Sequence, residues 1–157
     1  MNDVTIRRET DADIPAITEL VGCGVVEKLR DDNALAVSLV AVEEFEIVGH
    51  IAASPVRIDD GTGGWFSLGP VTVAEGHRGR GIGSRLIEHA IDALKEGGAG
   101  GAVLVGDPAY YGRFGFVRTE FLTHPGNVDD YLLRALRLGD SRFPAGDVHA
   151  HPALQDL

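Results

Sequence analysis

The residues best suited to chemistry lie between Val71 and Ser84. There Val71-Thr72-Val73 reads as the end of a buried strand, and Arg78-Gly79-Arg80-Gly81-Ile82-Gly83-Ser84 as a glycine-rich turn opening an amphipathic helix. Chemically this is an anion site. Glycines let the backbone approach a ligand closely, and the first N–H groups of a helix lack intrahelical acceptors and carry the positive end of its dipole. A pyrophosphate suits that arrangement. Arg78, Arg80 and Arg85 gather around the loop in a chain with only 14 Lys and Arg against 24 Asp and Glu. A turn that merely packs helix on strand gives no reason for that clustering.

Two other phosphate motifs come close. A nucleotide P-loop needs Gly-x-x-x-x-Gly-Lys-Ser/Thr, and although Gly76 and Gly81 have the outer spacing, Ile82 stands where lysine is required. A dinucleotide fingerprint is approximated by Gly79-x-Gly81-x-x-Ser84, with Asp107 after the following strand. Against it, five residues separate Val73 from Gly79, and the region upstream reads as antiparallel hairpin strands instead of alternating strand and helix.

The elements that must hold this loop follow from periodicity. Val4 to Arg8 alternates like a strand, and Thr10 with Asp13 resembles a capping box opening a helix on Ile14, Ile17, Leu20 and Val21. A second helical stretch runs near Val25 to Arg30. Ser38 to Val42 and Ile47 to Arg57, split at Glu43-Glu44-Phe45-Glu46, read as an antiparallel hairpin. After the turn Asp59 to Gly64, Trp65 to Val73 is an extended, largely apolar strand. From Gly81 to Glu96 the stripe Ile82, Leu86, Ala90 and Leu94, widened by Ile87, Ile91 and Ala93, makes an amphipathic helix. Ala102 to Val105 is a short apolar strand, so strand, helix and strand form one crossover unit. Asp107-Pro108 reads as an N-cap and first helical position, leading a short helix through Tyr110 and Tyr111. Phe116 to Thr119 and Tyr131 to Leu138 complete the strands, and residues 139–157 are an irregular tail with little periodicity.

Composition narrows the function classes. With 157 residues, 44% hydrophobic and 24% charged, the chain reads as one globular domain with a sizeable core. A formal charge of −10 repels phosphate backbones and anionic lipid, so neither nucleic acid nor membrane is an expected partner, whereas a cationic or amine-bearing ligand is attracted. The single Cys23 permits no internal disulfide and reads as a small buried hydrophobe. Charges near the N-terminus and the lack of a long apolar run lead us to expect a cytoplasmic protein. His149 and His151 share a face if extended, but no third ligand accompanies them, and no metal is expected.

In this setting Arg78-x-x-Gly81-x-Gly83 resembles motif A of the GCN5-related N-acetyltransferase superfamily, and Tyr111-x-x-x-Gly115-Phe116 resembles its motif B. Ile6 to Leu20 is similar to the family's first strand and helix. Leu68-Gly69-Pro70 and the tail from Gly146 to Ala153 resemble small, poorly characterised bacterial members. The resemblance implies an α/β fold with a central mixed, largely antiparallel twisted sheet of about six or seven strands, a splayed parallel pair and about four flanking helices. It implies acetyl-CoA as cosubstrate, with main-chain groups of Val71, Thr72 and Val73 pairing with the pantetheine arm, Gly79 to Ser84 wrapping the pyrophosphate, and Arg78 also in the cofactor site. It further implies Tyr111 as the acid that protonates the departing thiolate, with Tyr110 the fallback. Many members carry an asparagine seven residues before that tyrosine, whereas here Asp107 stands four before it. The implied reaction is acetyl transfer to a primary amine of a small acceptor. A CoA-binding module without catalysis carries motif A equally well. Glu27, Glu43, Glu44 and Glu75 each also fit a solvated surface carboxylate, so no general base is assigned. A homodimer is compatible with the sequence and not specified by it.

Overall fold

The computed structural model describes residues 3–125, 132–140 and 142–154. β1 (Thr5–Arg8) leads into α1 (Ile14–Val21), and the expected capping residues meet between them, the Thr10 N–H donating to the Asp13 carboxylate at 2.7 Å. Arg7 adds two bonds to the same carboxylate, at 2.7 and 3.1 Å. These bonds outweigh burial and hold the Asp13 carboxyl down at about 2. α2 (Val25–Asp31) follows. β2 (Val37–Glu43) and β3 (Glu46–Pro55) are the expected antiparallel hairpin. Its tip sets Glu44 and Phe45 at φ of 48° and 68°, the left-handed turn geometry that matches the twist of the flanking strands.

After the two-residue β4 (Arg57–Ile58), the chain continues through β5 (Trp65–Val73), α3 (Ile82–Glu96) and β6 (Gly101–Val105). α4 (Pro108–Tyr111), β7 (Leu122–Thr123), β8 (Leu133–Arg137) and β9 (Gly146–His149) complete it. The main sheet has the order β1-β2-β3-β5-β6-β8. Only β5 and β6 within it are parallel. A small second sheet has the order β4-β9-β7.

α3 covers one face of the main sheet. Ile82, Leu86, Ile87, Ala90, Ile91 and Leu94 are all buried there against Leu39, Ala41, Ile51, Ala53, Leu68, Ala102 and Leu104. Burying a large aliphatic side chain contributes about 1.5–3 kcal/mol, so this stripe fixes the helix and hence the loop at its start. The opposite face is covered in two parts. α1 and α2 lie over Val40 and Ala52, and the small sheet brings Ile58, Leu122 and Val148 against Trp65, Val103, Leu133 and Ala135.

Two stretches differ from the sequence expectation. Residues 116–119 form no strand: Val117 makes a single bridge to Ala135, with reciprocal bonds of 2.9 and 2.8 Å, before the chain turns at Thr119, whose hydroxyl accepts from the Phe121 N–H. In the tail, the expected irregularity gives way at β9, whose four residues pair with β4 and β7. A strand this short shows too few alternations to register as periodic. The expected strand from Tyr131 begins at Leu133, Tyr131 itself lying outside the described residues.

A half-buried polar chain that ends at the buried His50 ties α2 to the sheet. Arg30 donates to Glu9 at 2.5 and 3.0 Å, Ser38 donates to the same carboxylate, and His50 Nε2 lies 2.8 Å from Ser38 Oγ. Because the ionised Glu9 only accepts, the serine proton points at it, and His50 must donate to the serine oxygen. Burial pushes the fully buried His50 ring down to about 4, so it is neutral.

Candidate active site

The site begins where the parallel pair ends. β5 and β6 pair only at Trp65↔Gly101, Phe66↔Ala102 and Ser67↔Val103. Immediately afterwards the register of β5 against β3 slips: Ala53 faces Leu68 and Ile51 faces Val71, leaving Gly69 and Pro70 together opposite Ala52. The Gly69–Pro70 peptide is cis. A bulge bends its strand, and Leu68 to Val73 run on without β6 beside them.

On the α3 face the glycine loop forms a cavity of about 410 Å³. Gly79 and Gly81 both adopt φ of 79°, and a Cβ at either would meet no atom within 4 Å. Backbone conformation, not crowding, therefore requires glycine at these two positions. Gly81 caps α3 and has no side chain to offer the first N–H groups of the helix, which leaves them for an anion. At Gly83 an added Cβ would stand 3.7 Å from Val73 and 3.8 Å from the Tyr110 hydroxyl.

Of the residues expected to bind the cofactor, Val73, Arg78, Gly79, Gly81, Ile82, Gly83 and Ser84 line this cavity. Val71 approaches the Gly83 position to 4.0 Å, and Thr72 is half-buried on β5, paired with His50. The arginines divide. Arg78 Nε donates to the Val73 carbonyl at 3.1 Å, Arg85 donates to the Val4 carbonyl at 2.9 Å, and Arg80 points to Glu43 at 2.6 Å. Arg80 thus contributes its backbone to the loop while its charge is paired elsewhere.

Besides Arg78, Arg113 lines the cavity, on the side of Ser84. It donates to Ser84 Oγ at 3.1 Å, and its guanidinium lies 4.7 Å above the Tyr110 ring, a cation–π contact. Ser84 Oγ is also 3.0 Å from the Tyr110 hydroxyl. Sequence reasoning missed Arg113 because it searched around the glycines. The available signal was its place three residues after Tyr110, one helical turn on, within motif B.

α4 sets the two tyrosines apart. Asp107 caps it by accepting from the Ala109 N–H at 3.0 Å, and Pro108 occupies the first turn. Tyr110 projects to the glycine loop, whereas the Tyr111 ring lies against Gly106, where an added Cβ would come within 2.5 Å of it. Tyr110 and Phe116 meet the Tyr111 ring edge-on at centroid distances of 4.9 and 6.2 Å. Burial first, and then Tyr110, raise the Tyr111 phenol above its ordinary value of 10, so it holds its proton at neutral pH.

On the other face the gap opens into a second cavity, of about 360 Å³. Ser67 to Pro70, Val103 to Val105, His124, Leu133, Val148, Ala150 and Leu154 surround it. None of Glu27, Glu43, Glu44 or Glu75 is among them. Glu43 is engaged by Arg80, which holds its carboxyl below the usual range, and Glu75 is exposed at the end of β5. His149 and His151 part company, bonding to Asp59 at 2.8 Å and Asp32 at 2.7 Å. Ligand atoms of Asp59, Asp147 and His149 lie within 4.8 Å of one another, but Thr123 already donates to Asp147, and the group sits in the small sheet, not at the gap. No helix among the described residues is long and apolar enough to cross a membrane.

Residues 9–116 match the acetyltransferase (GNAT) family. The uncharacterized N-acetyltransferase YhbS of Escherichia coli K12 is 36% identical over 115 residues, 73% of this chain. The match spans 65% of that curated relative's length. The solved structure of Escherichia coli YhbS in complex with CoA superposes with a TM-score of 0.90 at 30% identity, covering 98% of this chain and 92% of that one. A GNAT family acetyltransferase from Brucella melitensis in complex with acetyl-CoA gives a TM-score of 0.83 at 35% identity, covering 99% and 100%.

Proposed function

Because the chain belongs to the acetyltransferase (GNAT) family, we propose that it binds acetyl-CoA on the α3 face and transfers the acetyl group to a primary amine. The observation that carries this reading is the end of β5–β6 pairing at Ser67 and Val103, with the glycine loop following β5 and an apolar-lined cavity between the two strands. Binding of CoA or acetyl-CoA by the two similar solved proteins supports it.

In this reading the pyrophosphate sits on the N–H groups at Gly81 to Ser84, with Arg78 and Arg113 beside it. The pantetheine arm pairs with the backbone of Val71, Thr72 and Val73 that β6 leaves unpaired, and delivers the thioester into the gap. The amine enters from the opposite face as the neutral base. Its lone pair attacks the carbonyl carbon, the C–N bond forms as the C–S bond breaks, and the nitrogen gives up a proton to water. Tyr111 donates its phenolic proton to the departing thiolate and regains one from solvent. No metal takes part. The protein works as one domain over its 157 residues, in the cytoplasm of a bacterium, on a small free acceptor; the charge of −10 disfavours nucleic acid and anionic membrane.

Calorimetric titration with acetyl-CoA, followed by thiol-release assays over amino acids, polyamines, aminoglycosides, alkylamines and peptides, tests the reading. Saturable binding with turnover of at least one amine is expected. Binding without turnover of any amine would identify a CoA-binding module, and absence of binding would overturn the reading altogether.

A further inference from the structure

The chemistry of the second cavity bears on the acceptor. Leu133 from β8, Val103 and Val105 from β6, Pro70 from the bulge of β5, Val148 from β9 and Leu154 from the tail make its walls apolar. Ser67 and His124 are its polar side chains, and no Asp or Glu lines it among the described residues. From these walls we infer that the acceptor is a small primary amine carried on a compact apolar group, an alkyl- or arylalkylamine in chemical class, and not a polyamine or other polycation. This rests on the acetyl-transfer reading above and narrows its substrate.

Three physical points support the assignment. A charged group moved among apolar walls without a partner is strongly disfavoured, and a second ammonium on the acceptor would meet no carboxylate among the described residues that line the cavity. The same walls favour the neutral form of the reacting amine, the form with a lone pair to attack. And about 360 Å³ lies near the lower end of the ligand-pocket range of about 300–1,000 Å³, with part of it needed for the acetyl group. The net charge of −10 acts at longer range: it draws in any protonated amine from solution, apolar ones included, and does not by itself select a polycation.

The test compares hexylamine with cadaverine, equal in heavy-atom count, and phenethylamine with spermidine, each with acetyl-CoA and the 157-residue chain. We expect kcat/KM to be at least about tenfold higher for the apolar member of each pair, a difference of about 1.4 kcal/mol. Val105→Asp should shrink or invert that preference, because a carboxylate at this 44% exposed position offers a second ammonium a counter-ion. An unchanged melting temperature and acetyl-CoA affinity would show that the variant is folded. Equal or better use of cadaverine and spermidine by the unaltered protein would overturn the inference while leaving acetyl transfer intact. Failure to acetylate any amine despite acetyl-CoA binding would overturn both.

Discussion

The glycine-loop cavity, bordered by Val73 at the end of β5, and the cavity between β5 and β6 that Val148 and Leu154 also line are made of different materials. The first is built largely from backbone, with two left-handed glycines, the uncapped start of α3, and arginines at its rim. The second is built from aliphatic side chains drawn from five separate segments, with Ser67 and His124 as its polar members. The contrast suits two ligands of opposite character. An anion bound by peptide dipoles needs a fixed backbone and little side-chain specificity, whereas an acceptor recognised by shape and dryness depends on which side chains stand in the wall. The first site can therefore stay constant while the second is re-tailored.

If that division holds, the largest effect of a single substitution should come from placing negative charge in the backbone-built site. Gly83 has an ordinary φ, and its Cβ position lies at normal contact distance from Val73 and Tyr110, so Gly83→Asp should fold. Its carboxylate would repel a pyrophosphate, and calorimetry should show at least about a hundredfold loss of acetyl-CoA affinity. Unchanged affinity in a folded protein would mean the phosphates bind elsewhere, and the contrast between the two cavities would lose its functional meaning.

Next comes Tyr111, whose ring packs against Gly106, Tyr110 and Phe116. Tyr111→Phe keeps the ring against Gly106 and Phe116 and removes only the hydroxyl, so stopped assays should show turnover reduced roughly a hundredfold, with acetyl-CoA affinity and melting temperature little changed. The pH profile adds a check with a definite sign. An acid loses activity as pH rises through its pKa, and since burial raises that of Tyr111 above 10, no alkaline loss due to this group should appear below about pH 10.

A smaller loss is expected at the rim. Arg113→Ala removes a cation proposed to pair with the pyrophosphate, and at about 1.5–3 kcal/mol for a bond involving an ion, discounted for solvent at this exposed position, acetyl-CoA should bind about tenfold more weakly. The difference from the unaltered protein should narrow as salt is added, while turnover at saturation stays near normal. An effect confined to turnover would move Arg113 out of the anion site.

How much of this was legible beforehand follows from the same contrast. The glycine loop, the stripe of α3 and the Asp107-Pro108 cap are contiguous in sequence, and each was readable because its physics is local: backbone dihedrals, helical period, an N-cap. The apolar cavity was not readable. Pro70, Val105, Leu133 and Val148 are distant in sequence and ordinary as residue types, and β9 is too short to signal itself by alternation. The arginines show the limit even inside the motif. Three stood near the glycines, but Arg80 is drawn to Glu43 across the β2–β3 turn and Arg85 to the Val4 carbonyl, partners that only the folded sheet supplies.

The smallest expected effect sharpens the comparison most, because Tyr110 and Tyr111 are neighbours in sequence assigned to different tasks. Tyr110 lines the glycine-loop cavity, with its hydroxyl 3.0 Å from Ser84 Oγ and its ring under the Arg113 guanidinium. Tyr110→Phe leaves the ring, and with it the cation–π contact, and deletes one neutral hydrogen bond at about 0.5–1.5 kcal/mol. Acetyl-CoA affinity should therefore fall by no more than about tenfold, and turnover at saturating cosubstrate should persist. Tyr111→Phe should show the reverse pattern, affinity kept and turnover lost. Measuring both constants for both variants makes a two-by-two test in which a merely structural role for either tyrosine would appear as a lower melting temperature. If Tyr110→Phe loses turnover and Tyr111→Phe does not, the proton donor is the tyrosine that faces Ser84, and the leaving thiolate must then lie on the α3 side of the gap, closer to the glycine loop than the parallel pair alone would place it.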